Sequence, residues 1–300
     1  MIHLEKEYKE KIVAALIEAR KNYGGSNAEF ANKWRINAAV YSRIKNGEID
    51  GVLKDAHWLN IGRDLGVTLH ERKWNVAKTE VFAMIERDVL FCQKHAKGMM
   101  CVDDCGIGKT FTAKYLSRTI PNCFYVDGSQ SKTVTLLIKN IAKSIGADLK
   151  GTHAEIKSNI KYFLNNIANP VVIIDEAGDL NTAALLEIKE FWNSTEGTCG
   201  WYLMGAEGFK KVMDRGMNRK NPGYKELFSR FSERYTTTVP VTQQDKLSFY
   251  RKLISDVLSA NMEDKTKLNE IVKRCLTVDT NGQIGGLRRA ESLLILETNY

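Results

Sequence analysis

Residues 98–110 run from a short apolar stretch into Gly106, Gly108, Lys109 and Thr110, and residues 111–117 then read as a helix. Strand, glycine loop and helix in that order are what a polyphosphate needs. Glycines let backbone N–H groups close round phosphate oxygens with no Cβ in the way. The helix N-terminus adds partial positive charge beside the same anion. Lys109 is placed to reach the β- and γ-phosphates of ATP, and the Thr110 hydroxyl to take a Mg2+ position. Asp104, Cys105, Gly106, Ile107, Gly108, Lys109, Thr110 and Phe111 are therefore the expected nucleotide-binding residues. Asp103 departs from the pattern G-x-x-x-x-G-K-[ST], standing where its first glycine belongs. Aspartate tolerates left-handed backbone better than most residues, so the turn is expected to survive. Its carboxylate, however, is an unfavourable neighbour for a triphosphate.

A chance glycine turn before a helix would look much the same, but a second segment argues against chance. Val171, Val172, Ile173 and Ile174 lead directly into Asp175 and Glu176. Such a run reads as a strand buried on both faces, as in a parallel sheet. Acids at its carboxyl end lie where ligands bind in open α/β sheets. Asp175 suits a Mg2+ position, and Glu176 suits a base that polarises the attacking water.

These residues need a scaffold that brings strand ends together. Further strands are expected at 123–127, 201–204 and 235–241, with helices at 80–95, 133–145, 153–166 and 181–193. This alternation predicts an α/β fold, a parallel sheet with helices on both faces. The tail is helical throughout (246–260, 265–275 and 286–297) and reads as a separate lid. Ahead of the sheet, 4–23, 28–34 and 38–45 read as helices, and Trp58, Leu59, Ile61 and Leu65 mark another. The tight turn at 35–37 gives the middle pair helix-turn-helix character. Its second helix is expected to expose Asn37, Tyr41, Ser42, Arg43 and Lys45 to DNA, and from Lys33 to Lys45 four bases meet no acid. A small bundle for protein contacts remains the alternative. Expected units are 1–70, 71–241 and 242–300, with the polar connection at 67–77 as the first boundary.

The formal charge of +8 suggests a polyanionic partner, most simply nucleic acid. The six cysteines form no C-x-x-C pair and no metal spacing with histidine. Neither a leader's apolar segment nor a membrane-length apolar run is present, so a cytoplasmic protein with reduced thiols is expected.

On the phosphate loop, the acidic strand and the helical tail, the chain resembles the AAA+ ATPases. Within them it is most similar to the phage Mu transposition protein B type and related insertion-sequence ATP-binding proteins. The echoes are residues 104–110, 172–177, 203–205, 227–230 and 286–288. The resemblance implies a P-loop AAA+ core between an N-terminal helix-turn-helix domain and a C-terminal lid. It also implies an ATPase that binds DNA, self-assembles with ATP and recruits or activates a transposase or integrase. Arg230 matches the arginine-finger region, with Arg234 the second candidate, and Arg288 matches the lid arginine that touches phosphate. Arg289 would be a second contact or simply solvated. After Leu203-Met-Gly205 the family pattern has a polar residue, where this chain has Ala206 and then Glu207. Thr79 is a further candidate for the base. A helicase loader and a nucleotide-sensing DNA switch with negligible turnover are the rival readings.

Overall fold

The computed structural model describes residues 4–67, 74–278 and 284–298. Four helices come first: α1 (Lys6–Lys21), α2 (Asn27–Lys33), α3 (Ala38–Lys45) and α4 (Asp55–Leu65). Ser26 and Glu29 form a capping box on α2, and the Asn37 side chain caps α3. Ile12, Leu16, Phe30, Tyr41, Ile44, Trp58 and Ile61 make a core of their own beneath them. The expected boundary near residue 70 lies outside the described residues.

α5 (Glu80–His95) leads into β1 (Gly98–Val102), followed by α6 (Lys109–Thr119) and β2 (Cys123–Asp127). Next come α7 (Val134–Ile145), α8 (His153–Asn166), β3 (Val171–Asp175), α9 (Thr182–Ser194) and β4 (Gly200–Gly205). α10 (Glu207–Asn218) and α11 (Tyr224–Arg230) precede β5 (Tyr235–Thr236), and α12 (Gln243–Asn261), α13 (Leu268–Cys275) and α14 (Leu287–Thr298) follow. Among the described residues, the sheet has five strands in the order β2-β3-β4-β1-β5, every pair parallel.

Alternation along the strands sends side chains to both faces. Val172, Ile174, Trp201 and Leu203 pack with α7, α9 and α10; Val171, Ile173, Tyr202 and Met204 pack with α5, α6 and the tail helices. The tail is therefore continuous with one layer of the core, through Phe249, Leu253, Ile254 and Leu294.

Two expectations about the sheet change. The last strand ends at Thr236 instead of running to Val241, because the next amides bond to a side chain and not to a strand: Thr238 N and Val239 N both donate to the Asp103 carboxylate. α10 and α11 are additional to the expected helices, although Phe209, Met213 and Gly216 are buried at helical spacing.

The N-terminal helices rest on the core through polar ties. Gly24 N donates to Asn122 Oδ1 at 2.9 Å, and Asn122 N donates to Asn22 O at 3.0 Å. Lys33 Nζ donates to Ser144 O at 2.5 Å, and Lys143 pairs with Asp64 at 2.6 Å.

Candidate nucleotide-binding site

Parallel pairing of β1 with β4 and of β4 with β3 brings the loop after β1 and the acids ending β3 to the carboxyl end of the sheet. Gly106 and Gly108 have φ of +72° and +102°, a left-handed path that other residues rarely adopt. α6 then starts at Lys109, so its unpaired N–H groups face the loop. A cavity of about 370 Å3 opens here, lined by residues 105–112 together with Glu176 and Arg288. Trp74, Thr79, Phe82, Val257, Leu287 and Glu291 also line it. Thr110 and Phe111 are exposed within it, while Ile107 is buried behind the loop. The loop residues expected for nucleotide thus surround one cavity, with Asp104 on the far side of the loop.

Lys109 is 7% exposed, and its ammonium rests on loop carbonyls, donating to Asp103 O at 2.8 Å and Asp104 O at 2.6 Å. To reach a phosphate it exchanges these bonds for charge-assisted ones, which are the stronger kind.

The expectation about Asp103 is corrected. It does not take a left-handed conformation, and its carboxylate turns away from the cavity. It is 6% exposed and accepts from Thr238 N (2.5 Å), Thr238 Oγ1 (2.7 Å), Val239 N (3.3 Å) and Asp104 N (2.9 Å). A carboxylate with that many donors is well solvated by protein. It anchors the loop to the connector between β5 and α12.

Asp175 is 1% exposed and accepts from Glu176 N at 3.0 Å and from the Tyr125 hydroxyl at 3.3 Å. Burial, and then the Asp175 charge, push the Tyr125 phenol well up, so it stays a donor. Glu176 has φ of +48°, in the left-handed region that a non-glycine residue occupies only at a cost. Burial raises its pKa above the ordinary carboxylate value, Asp175 adds to the rise, and Lys109 opposes it.

The donor set suits a magnesium nucleotide. The Thr110 hydroxyl and Asp175 carboxylate are hard oxygens, and Mg2+ prefers a few such ligands plus phosphate and water. The left-handed glycines leave a cradle open to backbone donors.

The arginines divide. Arg288 is exposed and lines the cavity. Arg289 does not: its guanidinium donates to Thr277 O at 2.5 Å and holds the end of α13. Arg230 bonds to Asn193 Oδ1 and to Glu226 O (2.9 Å) and lies over the Trp192 ring. Its own carbonyl lies against Gly98, the first residue of β1, so it stands at the end of the sheet opposite its own cavity. Arg234 is exposed. Ala206 brings no polar atom to the end of β4, and Glu207 pairs with Lys211 at 3.0 Å. Thr79 lines the cavity, but its hydroxyl oxygen caps α5 by accepting from Phe82 N.

The expected DNA face is also revised. Tyr41 is 3% exposed, packed on Phe30, because it shares the inner face of α3 with Ile44. Ser42, Arg43 and Lys45 are exposed, Arg43 pairing with Glu48 at 2.7 Å. Asn37 is exposed, and its side-chain oxygen accepts from Val40 N. Lys33 is half-buried among Tyr23, Trp34 and Phe124, and burial lowers its pKa to about 8.

Sequence reasoning missed Tyr125, which the β2–β3 register sets opposite Ile173, on the same sheet face as Asp175 and within reach of its carboxylate. It also missed Lys246 and Tyr250 of α12, which reach Asp104. No curated protein matches the chain. Residues 92–213, from the end of α5 through α10's Met213, match the family model of the AAA domain, which supports an AAA+ nucleotide-dependent ATPase.

Proposed function

We propose that the protein is an ATP-dependent, DNA-binding AAA+ ATPase that regulates DNA transposition, assembling with ATP along target DNA and recruiting a transposase or integrase. The observation that carries the enzymatic part is that Glu176 lines the same cavity as Gly106, Gly108, Lys109 and Thr110. The loop amides and Lys109 bind the phosphates, and Thr110 and Asp175 hold Mg2+. When bound, Mg2+ neutralises charge on the phosphate oxygens. Glu176 accepts the proton of a water attacking the γ-phosphorus while the bond to the β–γ bridging oxygen breaks. Its raised pKa brings the base nearer neutrality, where proton transfer is more effective.

Arg230 faces away from its own cavity, so its role is on the nucleotide of a neighbouring subunit, released from Asn193 and Trp192 as the subunits meet. The DNA-binding part rests on the capped α2–α3 pair, whose outer face carries Asn37, Ser42, Arg43 and Lys45. Phosphate release with and without DNA tests the whole. Glu176→Gln and Arg230→Ala proteins, each inactive alone, regain activity when mixed, because random head-to-tail mixing makes about one interface in four complete. A mixture that co-assembles but stays inactive removes Arg230 from this role.

One observation favours a slower enzyme: Ala206 offers nothing to orient the attacking water. A nucleotide-sensing switch with little turnover is the second reading, and the same assay separates it, DNA binding responding to ATP while phosphate release stays at background.

A further inference from the structure

The phosphate loop carries two carboxylates, Asp103 and Asp104, in a place meant for an anion. The structure neutralises them differently. Asp103 is answered within its own surroundings by backbone and hydroxyl donors. Asp104 is answered from the tail: Lys246 Nζ lies 2.6 Å from its carboxylate and the Tyr250 hydroxyl donates to it at 2.9 Å, both from α12. α14 touches the same loop, Leu287 N donating to Gly106 O at 2.8 Å. The carbonyl of Asp104 is also one of the two on which the Lys109 ammonium rests.

We propose that Lys246 is a positioning residue for the nucleotide site, acting through Asp104: only when α12 lies on the loop is the Asp104 charge cancelled and the loop receptive to polyphosphate. Displacing α12 uncovers a carboxylate one residue from the cradle, and the same movement that opens the cavity repels its contents. Tyr250 contributes a neutral hydrogen bond to the same tie, so its share is smaller than that of Lys246. The chemistry recognised is the diphosphate or triphosphate of a nucleotide, and the inference rests on the nucleotide reading above.

The test is the dissociation of a fluorescent ADP analogue with Mg2+ from the full chain, at low and high salt. Lys246→Met is expected to raise the dissociation rate on the order of 10-fold at low salt and less at high salt, as for one unit charge within a Debye length. Tyr250→Phe is expected to raise it about 3-fold, the loss of one hydrogen bond. Adding Asp104→Asn to Lys246→Met is expected to return the rate to within about 3-fold of wild type, a rescue that loss of packing would not show. An unchanged rate in Lys246→Met, or a double variant as fast as the single one, overturns the proposal. Wild-type protein that takes up no analogue at all overturns the nucleotide reading itself, and this inference with it.

Discussion

The phosphate-loop end of the sheet and the α2–α3 pair are both places where sequence spacing pointed to function, and they differ in what holds their side chains. At the carboxyl end of the sheet several groups are held by protein partners: Lys109 on two carbonyls, Asp175 by the Tyr125 hydroxyl, Asp103 among four donors. On α3 the outward side chains stand in solvent, with Arg43 tied only to Glu48. A catalytic site has to be organised before its ligand comes, because misplaced groups lose rate. A basic surface that meets the nucleic-acid backbone needs only charge in the right region.

Substitutions at the two regions should therefore fail in different ways. The largest effect is expected from Glu176→Gln, which keeps the side chain's shape and loses the proposed base. Phosphate release should fall on the order of 10²- to 10⁴-fold while ATP still binds. Hydrolysis at near wild-type rate would place the base elsewhere. On the N-terminal side, Tyr41→Ala should act on folding, costing about 3–5 kcal/mol of the helical unit's stability in denaturant titration, as for other large aromatic truncations. A stable variant with weakened DNA binding would instead return Tyr41 to the DNA face.

Asp103→Gly restores the usual loop pattern, yet the geometry predicts harm. It strips the acceptor from Thr238 N and Val239 N, and an unsatisfied buried donor costs about 1–3 kcal/mol. Nucleotide affinity should stay level or weaken. Tighter binding, most marked at low salt, would show that the carboxylate does reach the phosphates.

Arg43→Ala with Lys45→Ala should weaken DNA binding across sequences and make the salt slope shallower by about 2, one for each phosphate no longer neutralised. An unaltered slope would move the DNA surface onto the ATPase core. The smallest effect concerns pH. Because burial and Asp175 raise the Glu176 pKa, the proposed base is protonated and lost as pH falls through a value above that of an ordinary glutamate. The acid limb of the rate profile should sit correspondingly high, and Glu176→Gln should abolish it.

What the sequence disclosed follows the same division. The strand at Val171–Asp175 and the glycine loop were legible because backbone path and strand ends are what local pattern encodes. The direction of Asp103 was not, because its partners, Thr238 and Val239, are distant in sequence and reach it only through the β1–β5 pairing. Tyr41 was misjudged because a polar tip on a helix of eight residues does not reveal which face is inward; its spacing from Ile44 does. Lys246 and Tyr250 lay within a helix that was expected, but nothing local connects them to Asp104. The tail's union with the α5–α6 layer was hidden for the same reason, since apolar spacing marks a buried face without naming its partner.

Every catalytic role proposed above requires that the cavity between the phosphate loop and Glu176 bind a magnesium nucleotide. Equilibrium titration of Mg-ATP into the intact protein and into Lys109→Ala tests it most directly. Saturable binding to one site per chain is expected, weakened on the order of 100-fold or more when the Lys109 charge on the phosphates is removed. Equal affinity in the two proteins would contradict it and place the nucleotide, if there is one, somewhere other than this loop.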